Sequence, residues 1–222
     1  MALQRSRQRL RPLDTQPHGA LISRTFDATQ KTLTGNPVVV AEEVAASVGT
    51  GRAAFSVSRT GSVVYLSGVF GLAQLTWVNR SGLADGTIGE EATLSTMALS
   101  RDGTRVVYGR RDNTLTQNLW VTDVKRRGTR KLTFGQYRDS DGTWSPDASR
   151  VIYASIRPGG GKALYEVPAA GGPERLLYAQ KGVSLSADEW SPDGRFINQE
   201  CRSPLGRVRW RQGRAPRRES PS

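Results

Sequence analysis

The side chains best suited to chemistry in this sequence are serines and aspartates that stand two residues apart. The pairs are Ser100 with Asp102, Ser145 with Asp147, and Ser191 with Asp193. Aspartates of this kind can act as catalytic acids, and serines can act as nucleophiles. The same pairs recur at near-constant intervals, however, and a local structural role is the simpler explanation of a repeated residue. We therefore predict that these pairs stabilise turns.

The sequence offers no obvious base for a nucleophilic serine. Its only histidine, His18, lies in an arginine-rich leader outside the repeats, so a Ser-His-Asp site is not expected. The single cysteine, Cys201, excludes an internal disulfide framework and a thiolate cluster. We expect a protein that is not an enzyme, with no catalytic, cofactor-binding or metal-binding residue.

Three short motifs match ligand-binding patterns only in part. Asp139 and Asp141 have the spacing of two calcium ligands, but the later ligands of a calcium loop are missing, which favours a solvated turn before the first strand of a repeat. The run 159–162, Gly-Gly-Gly-Lys, lacks the other residues of a phosphate loop. The run 111–113, Arg-Asp-Asn, lacks the asparagine that a kinase catalytic loop carries five residues after its aspartate, because that position is Gln117.

An internal repeat explains the serine–aspartate pairs. The shared serines of four aligned segments (55–65, 97–108, 144–153 and 190–197) are 42, 45 and 46 residues apart. A second set of segments, starting at Leu75, Leu119 and Leu164, repeats at intervals of 44 and 45 residues. Glycine and proline favour turn formation within the motif. The residues that we assign to the turn motif are Ser58, Gly61, Ser100, Asp102, Gly103, Ser145, Pro146, Asp147, Ser191, Pro192, Asp193 and Gly194.

One repeat contains four strand-like runs. In the third complete unit these runs are residues 143–145, 150–155, 163–167 and 174–178. Four strands in about 40–45 residues are typical of a β-propeller blade. We predict an all-β fold, a partial β-propeller of four-stranded antiparallel blades, with three complete units and a partial unit at each end. The uncharged run 60–79 aligns with two strands of a blade, so we expect no transmembrane span.

The run Trp190-Ser-Pro-Asp-Gly-Arg195 resembles the repeat of TolB-like, WD-repeat-like β-propellers, and the run 144–148 lacks only the glycine. The runs 34–41, 75–82 and 130–134 are similar to propeller segments that follow bacterial serine/threonine kinase domains. The resemblance covers about residues 20–197. It implies a ligand-sensing or scaffolding module that binds a protein or peptide, with an extracytoplasmic or periplasmic location. The alternative is the gating propeller of a serine peptidase that resembles prolyl oligopeptidase and whose hydrolase domain lies elsewhere.

The repeats and the charges suggest the same division of the chain. We expect a basic disordered leader at 1–19, repeats at 20–197 and a basic disordered tail at 198–222. The repeats divide into a partial blade at 20–48, blades at 49–91, 92–136 and 137–183, and a partial blade at 184–197. Residues 1–24 and 202–222 carry +4 and +6 of the net charge of +12, so the repeats themselves are nearly neutral. Nucleic acid is therefore not the expected partner.

The number of repeats predicts that this chain is a fragment of a longer propeller protein. Propellers typically have 4–8 blades, and six or seven blades of this repeat need roughly 260–310 residues. We interpret the arginine-rich C-terminal segment as the result of an altered reading frame or a truncation. Open blade edges would promote self-association.

Overall fold

The computed structural model describes residues 11–13, 18–47, 52–67, 72–79, 83–112, 116–158, 161–180, 183–202 and 208–214. All regular secondary structure in these residues consists of β-strands. The first sheet contains β1 (Arg11–Leu13), β2 (His18–Asp27), β3 (Thr32–Ser47), β4 (Arg52–Ala53), β5 (Phe55–Val57), β6 (Val63–Ser67), β7 (Ala73–Val78) and β8 (Ala84–Ala92). The second contains β9 (Leu94–Leu99), β10 (Arg105–Arg111), β11 (Gln117–Asp123), β12 (Thr129–Lys131), β13 (Arg138–Trp144), β14 (Arg150–Ile156), β15 (Lys162–Pro168) and β16 (Arg175–Tyr178). The third contains β17 (Ser184–Trp190), β18 (Phe196–Arg202) and β19 (Val208–Arg214).

The strands group into the antiparallel units that the repeat predicts. Strands β5–β8 form blade 1, β9–β12 form blade 2 and β13–β16 form blade 3, and consecutive strands within each blade pair antiparallel. Strands β17–β19 form a three-stranded unit, which we call blade 4. The predicted all-β class with four-stranded antiparallel blades is thus confirmed. The first strand of blade 3 begins at Arg138, five residues before the predicted start at position 143.

The second strands of blades 1, 2 and 3 are buried on both faces, which explains why they are continuous apolar runs. In β14, Val151 and Tyr153 pack into the core cluster shared with blade 2, whereas Ile152 and Ala154 pack into the cluster shared with blade 4. Successive strand residues point to opposite faces, so an alternating polar pattern would expose polar atoms to a dry interface. Stacking of blades therefore requires apolar residues on both faces.

The uncharged run 60–79 contains β6 and β7, as expected from its alignment with the charged strand pair of blade 2. The part of the chain that the structure describes contains no helical segment with the length and hydropathy of a membrane span.

The structure differs from the sequence prediction at both basic ends. Strand β1 lies within the leader and pairs with β2, and β18 continues past residue 197 to Arg202 between β17 and β19. The predicted disordered tail at 198–222 is therefore wrong for residues 198–202 and 208–214, which form strands. Strand β18 forms through backbone hydrogen bonds to β17 and β19, which do not depend on the types of its side chains. In β19, Val208 and Trp210 alternate with arginines, a pattern that is typical of a strand. The rest of both ends lies outside the described residues.

Candidate functional site

The predicted turn motif has one hydrogen-bond pattern in three repeats. In blade 3, the Ser145 hydroxyl donates to Asp147 Oδ1 at 2.6 Å and accepts the backbone N–H of Arg150 at 3.0 Å. Asp147 Oδ1 also accepts the backbone N–H of Ser149 at 3.1 Å. Pro146 stands between the serine and the aspartate, where its ring fixes φ. This network closes the tight connection between the first and second strands of the blade.

The copies in blades 2 and 4 repeat this arrangement. Ser100 donates to Asp102, and Ser191 donates to Asp193, which Pro192 precedes; both distances are 2.6 Å. Gly103 and Gly194 have φ of 75° and 73°, a left-handed conformation that glycine adopts without a Cβ clash. The equivalent residue in blade 3 is Ala148, with φ of 53°.

The blade 1 copy lacks the carboxylate. Ser58 Oγ lies 2.7 Å from Thr60 Oγ1 and accepts the backbone N–H of Ser62 at 3.0 Å. Gly61 occupies the glycine position with φ of 90°. The threonine hydroxyl thus replaces the aspartate oxygen in this turn.

The turn aspartates are held in the ionised form. Hydrogen bonds from the Ser145 hydroxyl and from Ser149 lower the pKa of Asp147 to about 2. The Ser191 hydroxyl likewise lowers the pKa of Asp193, while burial of Asp102 opposes but does not outweigh the hydrogen bonds that lower its pKa. A general acid needs a pKa near the working pH, so these groups are suited to accepting hydrogen bonds in turns rather than to proton donation near neutrality.

The turns also connect the blades to one another. Arg105 of blade 2 places its guanidinium 4.9 Å from the Trp144 ring of blade 3 and donates to the Ala148 carbonyl at 2.7 Å. Arg150 of blade 3 lies 5.1 Å from the Trp190 ring of blade 4. The basic residue and the tryptophan of the motif therefore join consecutive blades through cation–π contacts.

Asp139 is not the solvated turn residue that the sequence suggests. It lies within β13 opposite Ser155, and its side chain is 1% exposed. Burial raises the pKa of Asp139 despite hydrogen bonds from Thr133 and Ser155. The corresponding residues of blades 2 and 4 are Leu94 and Leu185, which occupy the same register. The turn prediction fails because packing against blade 2, which no local pattern reveals, buries this position.

Asp141 also lies in β13, at a bulge where its own φ is 55°. Its carboxylate forms an ion pair with Lys162 at 2.6 Å. The described residues contain no group of three or more histidine, cysteine, aspartate or glutamate side chains that could hold a metal ion.

A polar network that the motifs did not reveal surrounds Asp139. The buried Tyr153 hydroxyl donates to Glu174, and Arg157 forms an ion pair with Glu174 at 2.5 Å. The Arg157 guanidinium lies 3.7 Å from the centre of the Tyr165 ring. Burial and the neighbouring carboxylates raise the pKa of Tyr153, so its hydroxyl remains a donor. One sequence feature could have revealed this network. Position 139 carries an aspartate where the equivalent positions of the other repeats, Leu94 and Leu185, carry leucine.

The remaining sequence motifs do not assemble into a ligand site in the described residues. Lys162 begins β15 and pairs with Asp141, while residues 159–160 of the glycine run lie outside the described part. Asp112 accepts a hydrogen bond from the Lys131 ammonium at 3.4 Å, and residue 113 is also outside that part. His18 lies at the start of β2.

Comparisons with known proteins relate this chain to propellers. No family model matches it. A segment of 101 residues is 34% identical to the uncharacterized peptidase YuxL of Bacillus subtilis (strain 168), and the match spans 43% of this chain and 15% of that relative. A putative TolB of Agrobacterium tumefaciens aligns with a TM-score of 0.64 at 14% identity, over 88% of this chain and 70% of the other. TolB of Acinetobacter baumannii aligns with a TM-score of 0.57 at 14% identity, over 88% and 51%. The chain therefore has a TolB-like β-propeller fold.

Proposed function

We propose that this chain is a non-enzymatic propeller segment that gates the access of peptides to the catalytic domain of a serine peptidase. The observation that supports this proposal is the 34% identity to a peptidase over 101 residues. The TolB-like fold alone does not select a function, because one fold hosts many activities. The relative is a peptidase and not a kinase, so we prefer the gating role to that of a kinase-linked sensor.

The chemistry of the described residues agrees with a non-catalytic role. Each motif serine that has an aspartate two residues later donates its hydroxyl to that aspartate, as Ser145 does at 2.6 Å. A serine nucleophile instead needs a general base, usually a histidine, within hydrogen-bond reach. The sequence has one histidine, His18, which lies outside the blade turns. Peptide hydrolysis would therefore be performed by residues of a separate catalytic domain, with the blades controlling which peptides reach it.

The coding sequence on both sides of this chain tests the proposal. We expect a hydrolase sequence after the propeller, with a Gly-x-Ser-x-Gly elbow followed by an aspartate and a histidine. All three reading frames of the downstream coding sequence should be translated, so that a hydrolase sequence is found in whichever frame it lies. A kinase domain before the propeller and no hydrolase after it would refute the gating role and favour a sensor or scaffolding module.

A further inference from the structure

A crevice of about 300 Å³ lies between blade 1 and blade 2, away from the turn motifs. Its apolar wall includes Leu75 and Ile88 from blade 1 and Leu94 and Trp120 from blade 2. Ligand pockets span roughly 300–1,000 Å³, so this crevice has the size of a site for a small molecule.

Two side chains of opposite charge line the same crevice. Arg110 lies on β10 two residues after Tyr108, and Glu90 follows Gly89 on β8. Among the described residues, neither charge has an ion-pair partner, and the Arg110 guanidinium contacts the Trp120 ring at 5.1 Å. The crevice therefore combines one cation, one anion and an apolar wall.

We propose that this crevice binds a free amino acid with an aliphatic side chain. Arg110 would bind the carboxylate, for which its planar guanidinium provides paired donors. Glu90 would accept hydrogen bonds from the ammonium group, and Leu75, Ile88 and Leu94 would contact the side chain. This site goes beyond the gating role and does not depend on it, because the charges and the apolar wall belong to the blades themselves.

The first test uses the unaltered chain labelled with ¹⁵N and L-leucine as the probe. The indole N–H signal of Trp120 is identified by its absence from a Trp120→Phe variant, and its shift is followed during titration. The analogues 4-methylpentanoate and 3-methylbutylamine each lack one of the two charges of leucine. We expect leucine to shift the Trp120 signal and each analogue to bind about tenfold more weakly or worse, because one charge-assisted contact is lost.

The second test uses neighbouring residues as matched controls. Arg110→Gln and Glu90→Gln should each weaken leucine binding about tenfold or more, whereas Arg111→Gln and Glu91→Gln should retain it. Arg111 follows Arg110 on the regular strand β10 and points to its opposite face, and neither Arg111 nor Glu91 lines the crevice. The absence of a leucine-dependent shift, equal binding of the three ligands or equal losses in the control variants would overturn the proposal. The ligand series gives a result even if a variant fails to fold.

Discussion

Replacement of Ser145 by alanine should destabilise the fold measurably, although catalysis is not involved. The Ser145 side chain is 1% exposed and makes two hydrogen bonds, one to the Asp147 carboxylate and one from the Arg150 backbone N–H. A neutral hydrogen bond contributes about 1 kcal/mol, and one to a charged group contributes about 1.5–3 kcal/mol. We expect the free energy of unfolding to fall by about 2–3 kcal/mol, which lowers Tm by about 5–10 °C in a chain of this size.

Urea unfolding followed by tryptophan fluorescence, together with a thermal melt, measures this loss. Ser191→Ala is the matched control, because Ser191 makes the same bonds in blade 4 but is partly exposed. Its loss should be smaller, since water replaces part of the missing bonds. A change below about 0.5 kcal/mol for Ser145→Ala, the usual range of a surface substitution, would refute the turn-stabilising role. A loss for Ser191→Ala as large as that for Ser145→Ala would refute the dependence on burial.

Three further predictions follow from the contacts between and within blades. Arg105→Met should lower the free energy of unfolding in urea by about 1–2 kcal/mol, because it removes the cation–π contact with Trp144 and the hydrogen bond to the Ala148 carbonyl. The control Arg126→Met, in an exposed turn, should change this free energy little. Asp147 has a folded-state pKa of about 2, below its ordinary value of 3.8, so its contribution to stability is present above about pH 4 and is lost as the pH falls towards 2. Asp147→Asn should make acid unfolding less steep over that range, and an unchanged slope would contradict this assignment. The pKa of buried Asp139 is raised, so its contribution should increase stability as the pH falls through the folded-state pKa, and Asp139→Asn should remove this increase in melts from pH 7 to 4.

The strands and turns follow from local sequence, because each turn carries its own stabilising residues. Ser145 and Asp147 bond to residues within five positions of the serine, and the apolar run at 151–154 is long enough to form a doubly buried strand. These features therefore repeat wherever the sequence repeats.

Features that depend on contacts between distant segments were not predictable in the same way. The run at 138–142 has the composition of a solvated turn, but blade packing buries Asp139 within a strand. The arginine-rich run at 208–214 suggests disorder by composition, yet it pairs with β18. The crevice between Glu90 and Arg110 exists only because two blades stack, and no motif spans their strands.

Mapping of the reactive serine tests whether the blades gate a peptidase without taking part in catalysis. The chain of residues 1–222 and the longer product that the proposal requires would each be treated with a fluorophosphonate probe, and the labelled residue would be identified by mass spectrometry. We expect no label on the chain of residues 1–222 and a labelled serine outside that range in the longer product. A label on a blade serine such as Ser145 or Ser191, or no label in the longer product, would contradict it.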